Sequence, residues 1–203
     1  MRPSGDIPRP AHHPAEDLPP QPDPGREAID ATGHGGVRVT IKALQPGSAS
    51  RRARAVVRET LQRAGVGEDD IADAEVIVAE LAANAEKHGR PPYELRIFRL
   101  DGVPAWCEVA DGDPDLYEIG IIFNLLRSVK EIGLPLLAEN GRGLLLTHRL
   151  SNGHCRVHPA TIFASGAAGT PGKAVAFALP TRSGTRLTFP CLPADHSPAS
   201  EKP

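Results

Sequence analysis

The sequence is poor in the features that mark secreted proteins and nucleic-acid-binding proteins. Its 203 residues include three cysteines, Cys107, Cys155 and Cys191, and no Cys-x-x-Cys pair. This excludes a disulfide framework and a zinc knuckle. The 23 Lys and Arg residues are balanced by 25 Asp and Glu residues, for a formal net charge of −2. We therefore expect no direct contact with nucleic acid or with an anionic membrane.

Long apolar runs are also absent. The longest are short stretches such as residues 119–123 and 144–146, whereas a spanning helix needs about 20 apolar residues. Residues 1–6 lack the apolar core of a signal peptide. We therefore predict a cytoplasmic protein without a membrane segment.

Proline and glycine divide the chain into a central region and two tails. Residues 1–36 are rich in Pro, Asp, His and Gly, and the run Pro-Pro-Gln-Pro-Asp-Pro-Gly at 19–25 cannot form a helix or a central strand. We expect a disordered N-terminal arm over 1–36, one globular domain over 37–180, and a mostly disordered tail over 181–203. Within the tail, residues 185–189 form either an edge strand or no element.

The central region predicts helices packed on one face of a mostly antiparallel sheet. An N-cap at Ser48 or Ser50 opens a helix to about Ala64, and Asp69 or Asp70 opens a second helix to His88. Further helices are expected over 119–132 and 143–150, and strands over 37–41, 93–100, 105–109, 154–157 and 173–179. This order indicates an α+β two-layer sandwich.

The second predicted helix carries the strongest chemical signal. Glu80, Asn84, Lys87 and His88 fall within an arc of about 100°, beside an apolar stripe at positions 74, 77, 78, 81 and 85. The Asn amide can ligate Mg²⁺, Lys can contact phosphate, and the Glu carboxylate can accept a proton. The alternative is an ordinary amphipathic helix with a polar rim.

Two weaker motifs follow. Asp111-Gly112-Asp113 comes directly after a strand, where an Asp can accept a hydrogen bond from the adenine amine and a glycine lets backbone approach the ring; a simple turn is the alternative. Gly141-Arg142-Gly143-Leu144 leads into a helix, whose first N–H groups favour phosphate. A flexible glycine loop is the alternative there.

Taken together and in this order, the three motifs resemble those of the GHKL superfamily, whose members share the Bergerat nucleotide-binding fold. Asn84 precedes Asp111 by 27 residues, and Asp111 precedes Gly141 by 30. The similarity covers about 37–179, including 172–177, which looks like the closing strand. It is nearest to the small anti-sigma-factor serine/threonine kinases and related ATP-binding regulatory proteins of GC-rich bacteria.

The resemblance implies ATP and Mg²⁺ as ligands and a role for each matching residue. Glu80 matches the general base, Asn84 the Mg²⁺ ligand, and Asp111 the adenine-binding aspartate. Lys87 matches a phosphate contact. The remaining expected ATP-binding residues are His88, Gly112, Gly141, Arg142, Gly143 and Leu144.

The resemblance also implies a function and partners. It predicts a regulatory protein of the anti-sigma type that phosphorylates an anti-anti-sigma partner, binds a sigma factor, and can form a homodimer. The alternative is a non-catalytic nucleotide-sensing or partner-binding module. The catalytic half of a two-component histidine kinase is disfavoured, because no phosphoacceptor-histidine helix pair is visible.

The sequence departs from the family pattern at two places. Asp113 stands where the adenine motif usually has glycine, and a side chain there is expected to crowd or repel the nucleotide and to weaken binding. The apolar stretch 119–126 replaces a second glycine pair before Gly141. It predicts either a core helix or an exposed patch that binds a partner or a second copy.

Overall fold

The computed structural model of the protein describes residues 36–128, 142–163 and 169–188. Outside these ranges lie residues 1–35 of the expected arm, residues 129–132 of the helix expected over 119–132, Gly141, Cys191 and the other residues of the expected tail from 189 to 203. The expectations about them remain predictions. The elements within the described ranges are β1 Val37–Leu44, α1 Ala49–Arg63, α2 Glu68–His88, β2 Tyr93–Leu100, β3 Val103–Asp111, α3 Tyr117–Ser128, α4 Arg142–Leu150, β4 Cys155–Ile162 and β5 Thr170–Ala178.

The strands form a five-stranded sheet in the order β1-β2-β3-β5-β4, and each neighbouring pair is antiparallel. Alternate residues of the central strands, such as Leu95, Val109 and Phe177, face the helices and join one hydrophobic core with them. The α+β two-layer sandwich expected from the element order is confirmed. Residues 185–188 contribute an isolated bridge between Pro180 and Arg186 and no strand.

Helix α2 is the longest of the described helices, and its apolar stripe is the part that is buried. The residues of this stripe are each at most 7% exposed: Ala74, Ile77, Val78, Leu81 and Ala85. Their spacing of three or four residues is the one expected when one face of a helix packs on a core. The helix begins at Glu68, slightly before the predicted start, and three acidic residues occupy its first turn. Carboxylates at that end stabilise the helix through its dipole.

Helix α1 begins at the predicted place for a different reason. Ser48 occupies the N-cap position, but its side chain makes no capping bond to the helix. Instead, Glu86 of α2 accepts hydrogen bonds through Oε1 from the backbone N–H groups of Gly47 (2.6 Å) and Ala49 (3.4 Å). Ser50 also makes no cap; its hydroxyl donates to the carbonyl of Ala79. A carboxylate from another helix thus binds backbone N–H groups at the start of α1, whereas the cap bond expected from a serine is not formed.

The sheet face turned away from the helices carries a buried ionic network. Glu94 and Glu108 are 0% and 2% exposed, and Arg96 lies between them. Arg96 donates to Glu94 Oε2 from Nη2 (2.6 Å) and Nε (2.9 Å), and its Nη1 lies 3.9 Å from Glu108 Oε2. His158 of β4 completes the network, with Nε2 2.9 Å from Glu108 Oε1.

The end of β4 closes over this network. Arg96 also donates to the carbonyl of Thr161, and the N–H of Phe163 donates to Glu94. With His158 neutral, the two carboxylates outnumber the single guanidinium, so a proton on the imidazole balances the charge of these four side chains. The hydrogen bond to Glu108 is the largest influence on His158, and it raises the pKa of the imidazole despite partial burial and the nearby charge of Arg156.

This geometry predicts a pH-dependent contribution to stability. Because the pKa of His158 is raised on folding, its stabilisation is complete below the unfolded-state value near 6.5 and is lost as the pH rises through the higher folded value. His158→Gln should therefore lower the free energy of unfolding by about 1.5–3 kcal/mol at pH 5.5, and by less at pH 8.5. Urea unfolding at the two pH values measures the difference.

Glu108→Gln provides the matched background for this test. Without the Glu108 carboxylate, replacing His158 should cause no extra loss at low pH. An equal loss at both pH values in the native background would contradict an ionic role for the imidazole.

Candidate functional site

A cleft lies between α2, α3 and α4 at the end of strands β3 and β5. About 670 Å³ of empty space lies within it, a volume that includes solvent at its open mouth. The residues that line it are mostly apolar with a few polar groups: Leu81, Asn84, Ala85, His88, Gly89, Val109, Asp111, Glu118, Ile119, Ile122, Leu144, Lys173 and Val175.

One end of the cleft is built where α2 meets the start of α4. Glu80 and Asn84 are one turn apart on α2, and both half-buried side chains approach Gly143. A Cβ at Gly143 would lie 2.7 Å from Glu80 Oε2 and 3.1 Å from Asn84 Nδ2. The glycine is therefore needed for close approach, and it sets the first turn of α4 directly against a carboxylate and an amide.

The first turn of α4 adds groups suited to an anion. Backbone N–H groups at a helix start have no partner within the helix and favour phosphate. Arg142 is the first residue of α4 and is exposed, whereas Leu144 is buried and lines the cleft. Leu144 is buried in the core and so fixes the first turn of α4, to which Arg142 and Gly143 belong.

The other end of the cleft contains a buried ion pair across two strands. Asp111 of β3 lies directly opposite Lys173 of β5 in the antiparallel register. Their side chains are 6% and 5% exposed, and Lys173 Nζ lies 3.0 Å from Asp111 Oδ1. The backbone N–H of Asp113 also donates to Oδ1. The second oxygen, Oδ2, makes no hydrogen bond with any described residue.

Three glycines pack backbone closely around Asp111. A Cβ at Gly89, which follows α2, would lie 2.5 Å from Asp111 Cγ, and a Cβ at Gly172 would lie 2.0 Å from the Asp111 carbonyl oxygen. Gly112 donates from its N–H to the carbonyl of Arg90, and a Cβ there would lie 2.8 Å from the Pro91 carbonyl. Gly112 therefore allows the backbone of the Asp111 turn to pack closely against the turn after α2.

Asp113 is a second ion-pair partner of Lys173. Its Oδ2 lies 3.1 Å from Lys173 Nζ, and its Oδ1 accepts from the N–H of Asp115. Partial burial acts to raise the pKa of Asp113, but the bonds from Lys173 and Asp115 and the charge of Arg90 outweigh it, so the pKa lies below its usual value. Asp113 is not among the residues that line the cleft.

The remaining predicted residues take different positions. His88 is exposed and lines the cleft, whereas Lys87 is exposed on α2 and does not line it. In α3, Ile119 and Ile122 line the cleft, and Phe123 and Leu126 are buried in the core.

The opposite side of α3 is open to solvent. Tyr117, Ile121 and Leu125 are 74%, 42% and 49% exposed. Over the described residues, one side of α3 is therefore core and the other is an exposed apolar patch. That the patch binds a partner or a second copy stays a prediction.

Sequence reasoning did not identify Lys173, Gly89 or Gly172 as site residues. A signal for Lys173 was present, because a lysine at the start of an otherwise apolar strand needs a buried partner. The glycines carried no such signal, since their role depends on which strand ends meet.

The sequence profile of the histidine kinase-like ATPase domain matches residues 43–160, which is more than half of the chain. The protein belongs to this family. The matched range includes α2, the Asp111 turn and the start of α4, so the histidine kinase-like ATPase domain contains most of the cleft described above. A search of curated proteins gave no match.

An ATPase domain implies ATP binding, and the cleft fits that ligand. Its apolar middle suits a flat base, and Asp111 Oδ2 at one end accepts no hydrogen bond from the described residues. At the other end, Gly143 lets the first turn of α4 lie against Glu80 and Asn84, where a Cβ would meet both side chains. Asn84 would provide one ligand to Mg²⁺, which usually takes the others from phosphates and water.

No helix within the described ranges is long and apolar enough to cross a membrane.

Gly143→Ala tests the assembly of α2 against α4. The new Cβ should push the Glu80 carboxylate and the Asn84 amide out of place. Because these are ends of flexible side chains, we expect a small change in thermal unfolding but a loss of MgATP affinity of at least about tenfold. Isothermal titration calorimetry with ATP and Mg²⁺ measures the affinity.

Gly120→Ala is the matched control, since a Cβ at that α3 position meets nothing within 4 Å. It should leave MgATP affinity unchanged. Equal affinities for both variants would contradict the close approach at Gly143.

Proposed function

We propose that the protein is an Mg-ATP-dependent serine/threonine protein kinase of the anti-sigma type. The observation that supports this most directly is the Glu80–Asn84 pair, one helical turn apart and pressed against Gly143. A carboxylate beside a Mg²⁺ ligand and a helix start is the set of groups that phosphoryl transfer requires. ATP would lie with its base near Asp111 and its phosphates near Asn84.

Each group has a defined chemical task in this proposal. The Glu80 carboxylate accepts the proton of a serine hydroxyl on the partner as that oxygen bonds to the γ-phosphorus. The bond from the γ-phosphorus to the β–γ bridging oxygen breaks in line, and ADP leaves. Mg²⁺, when bound, would be held by Asn84 together with the phosphates and would neutralise developing charge. The first turn of α4 donates N–H groups to phosphate oxygens.

Three exposed basic side chains lie on the two helices that border the cleft. Arg142 stands at the start of α4, and Lys87 and His88 end α2. Their side chains can turn toward a triphosphate, with Arg offering a planar donor fork and Lys a point charge. We assign them to phosphate binding, together with Gly141, which lies outside the described residues.

The partner in this proposal is an anti-anti-sigma protein that carries the acceptor serine, and a sigma factor is the protein held in check. The family resemblance supports these partners and a homodimer. The proposed site of action is the cytoplasm, without direct contact to nucleic acid.

A second candidate is a non-catalytic module that senses a nucleotide and binds a partner. The exposed patch of Tyr117, Ile121 and Leu125 favours it, because an exposed apolar patch often marks a protein contact. This candidate needs the cleft for binding and makes no use of Glu80 as a base.

The two candidates differ in the effect of Glu80→Gln. For a kinase, loss of the base should lower phosphate transfer to a purified anti-anti-sigma protein by about 10²–10⁴-fold, with MgATP affinity largely kept. Transfer is measured with γ-labelled ATP, and affinity by calorimetry. Asn84→Ala should weaken both, because the Mg²⁺ ligand is removed.

Asp73→Asn is the matched control, since it removes a carboxylate from the same helix away from the cleft. It should behave as wild type. Equal transfer by wild type and Glu80→Gln would remove Glu80 from the base role, and binding without transfer by wild type would favour the non-catalytic module. No binding by wild type at millimolar MgATP would contradict both nucleotide functions.

A further inference from the structure

Lys173 is held by three oxygens of the Asp111–Asp113 turn. Its Nζ donates hydrogen bonds to Asp111 Oδ1 at 3.0 Å and to the Asp113 carbonyl oxygen at 3.2 Å, and it forms an ion pair with Asp113 Oδ2 at 3.1 Å. Lys173 lines the cleft, yet its ammonium contacts with the described residues all lie in this turn. Lys173 therefore acts on that turn.

The turn places two carboxylates close together. Asp111 Oδ1 and Asp113 Oδ2 both contact Lys173 Nζ, at 3.0 Å and 3.1 Å, so the two oxygens are at most about 6 Å apart. Two carboxylates that share a partly buried site repel each other, and one then takes up a proton. Lys173 removes this conflict, because its single charge sits between both groups in a pocket where its side chain is 5% exposed.

The same contacts leave one oxygen of Asp111 available. Asp111 Oδ1 is occupied by Lys173 and by the N–H of Asp113, which leaves Oδ2 as the acceptor for a ligand. Both oxygens of Asp113 are engaged, by Lys173 and by the N–H of Asp115. A side chain that would otherwise crowd or repel a nucleotide is thus held aside.

We propose that Lys173 is a positioning residue at the Asp111 end of the cleft, the base end, where the nucleotide base would bind. Lys173 neutralises Asp113 and holds it out of the cleft. It also orients Asp111 so that Oδ2 receives the base. This rests on the proposed nucleotide-binding function. Lys173 acts through the two aspartates and makes no contact with the nucleotide. Its importance therefore depends on the second carboxylate, and removing that carboxylate should make Lys173 dispensable.

The experiment is a double-mutant cycle of Lys173→Met and Asp113→Asn, with calorimetric titration of MgATP into each full-length protein. Lys173→Met should weaken binding by about tenfold or more. Asp113→Asn alone should bind like wild type, because Lys173 still pairs with Asp111. The double variant should recover most of the lost affinity, since the second negative charge is gone.

A measurement without nucleotide tests the same idea separately. In wild type, the lowered pKa of Asp113 gives stability that is present above the unfolded value near 3.8 and is lost as the pH falls below it. In Lys173→Met, one carboxylate takes a raised pKa, so stability should fall as the pH rises from that unfolded value through the raised folded value. The double variant should lose that slope.

The outcomes separate this inference from the proposed function. Failure of wild type to bind MgATP overturns the proposed function, while the pH slopes of unfolding still decide whether Lys173 offsets Asp113. A double variant as weak and as pH-sensitive as Lys173→Met, or a Lys173→Met protein equal to wild type, overturns the inference. If Lys173→Met does not fold, recovery of folding in the double variant by circular dichroism supports it, and no recovery overturns it.

Discussion

The arrangement of this domain depends on how α2 lies across the sheet. Its apolar stripe is buried between α1 and the central strands, and this fixes the rotation of the helix. Glu80 and Asn84 are then directed to the edge of the stripe, where α4 begins. The end of the helix at Gly89 is set against Asp111. The packing of α2 on the sheet therefore fixes the distance between the two ends of the cleft.

Strand β3 links two buried ionic groups of opposite orientation. Glu108 faces the outer network with Arg96 and His158, and Asp111, three residues later, faces the cleft and Lys173. Burial of charge is costly unless each group is paired and hydrogen-bonded. The central position of β3, paired on both sides, allows partners from β2, β4 and β5 to meet these requirements.

The sequence predicted the parts of the site that lie within one helix. The spacing of Glu80 and Asn84 is local, and a period of 3.6 residues is enough to place them on one side of α2. The α+β sandwich and the positions of the strands were also predictable from patterns of this kind. The buried or exposed character of α3 was not, because both of its sides are apolar.

Contacts between distant residues could not be read in the same way. The Lys173–Asp111 pair joins residues 62 positions apart, and it exists because of the register between β3 and β5. The cap of α1 by Glu86 spans 39 positions. Nothing in a single sequence specifies such a register, although a lysine in an apolar strand indicates that some partner is needed.

The glycines around Asp111 have a thermodynamic consequence. At the base end, backbone from the end of α2, from the Asp111 turn and from β5 is in close contact. A ligand that binds there therefore restricts few side-chain rotamers. Binding at this end should carry a small entropic penalty, as in other preorganised sites. The phosphate end is formed by longer and more exposed side chains, which must be ordered when a ligand arrives. Most of the ordering cost of occupying the cleft should therefore fall at the end where the chemistry takes place.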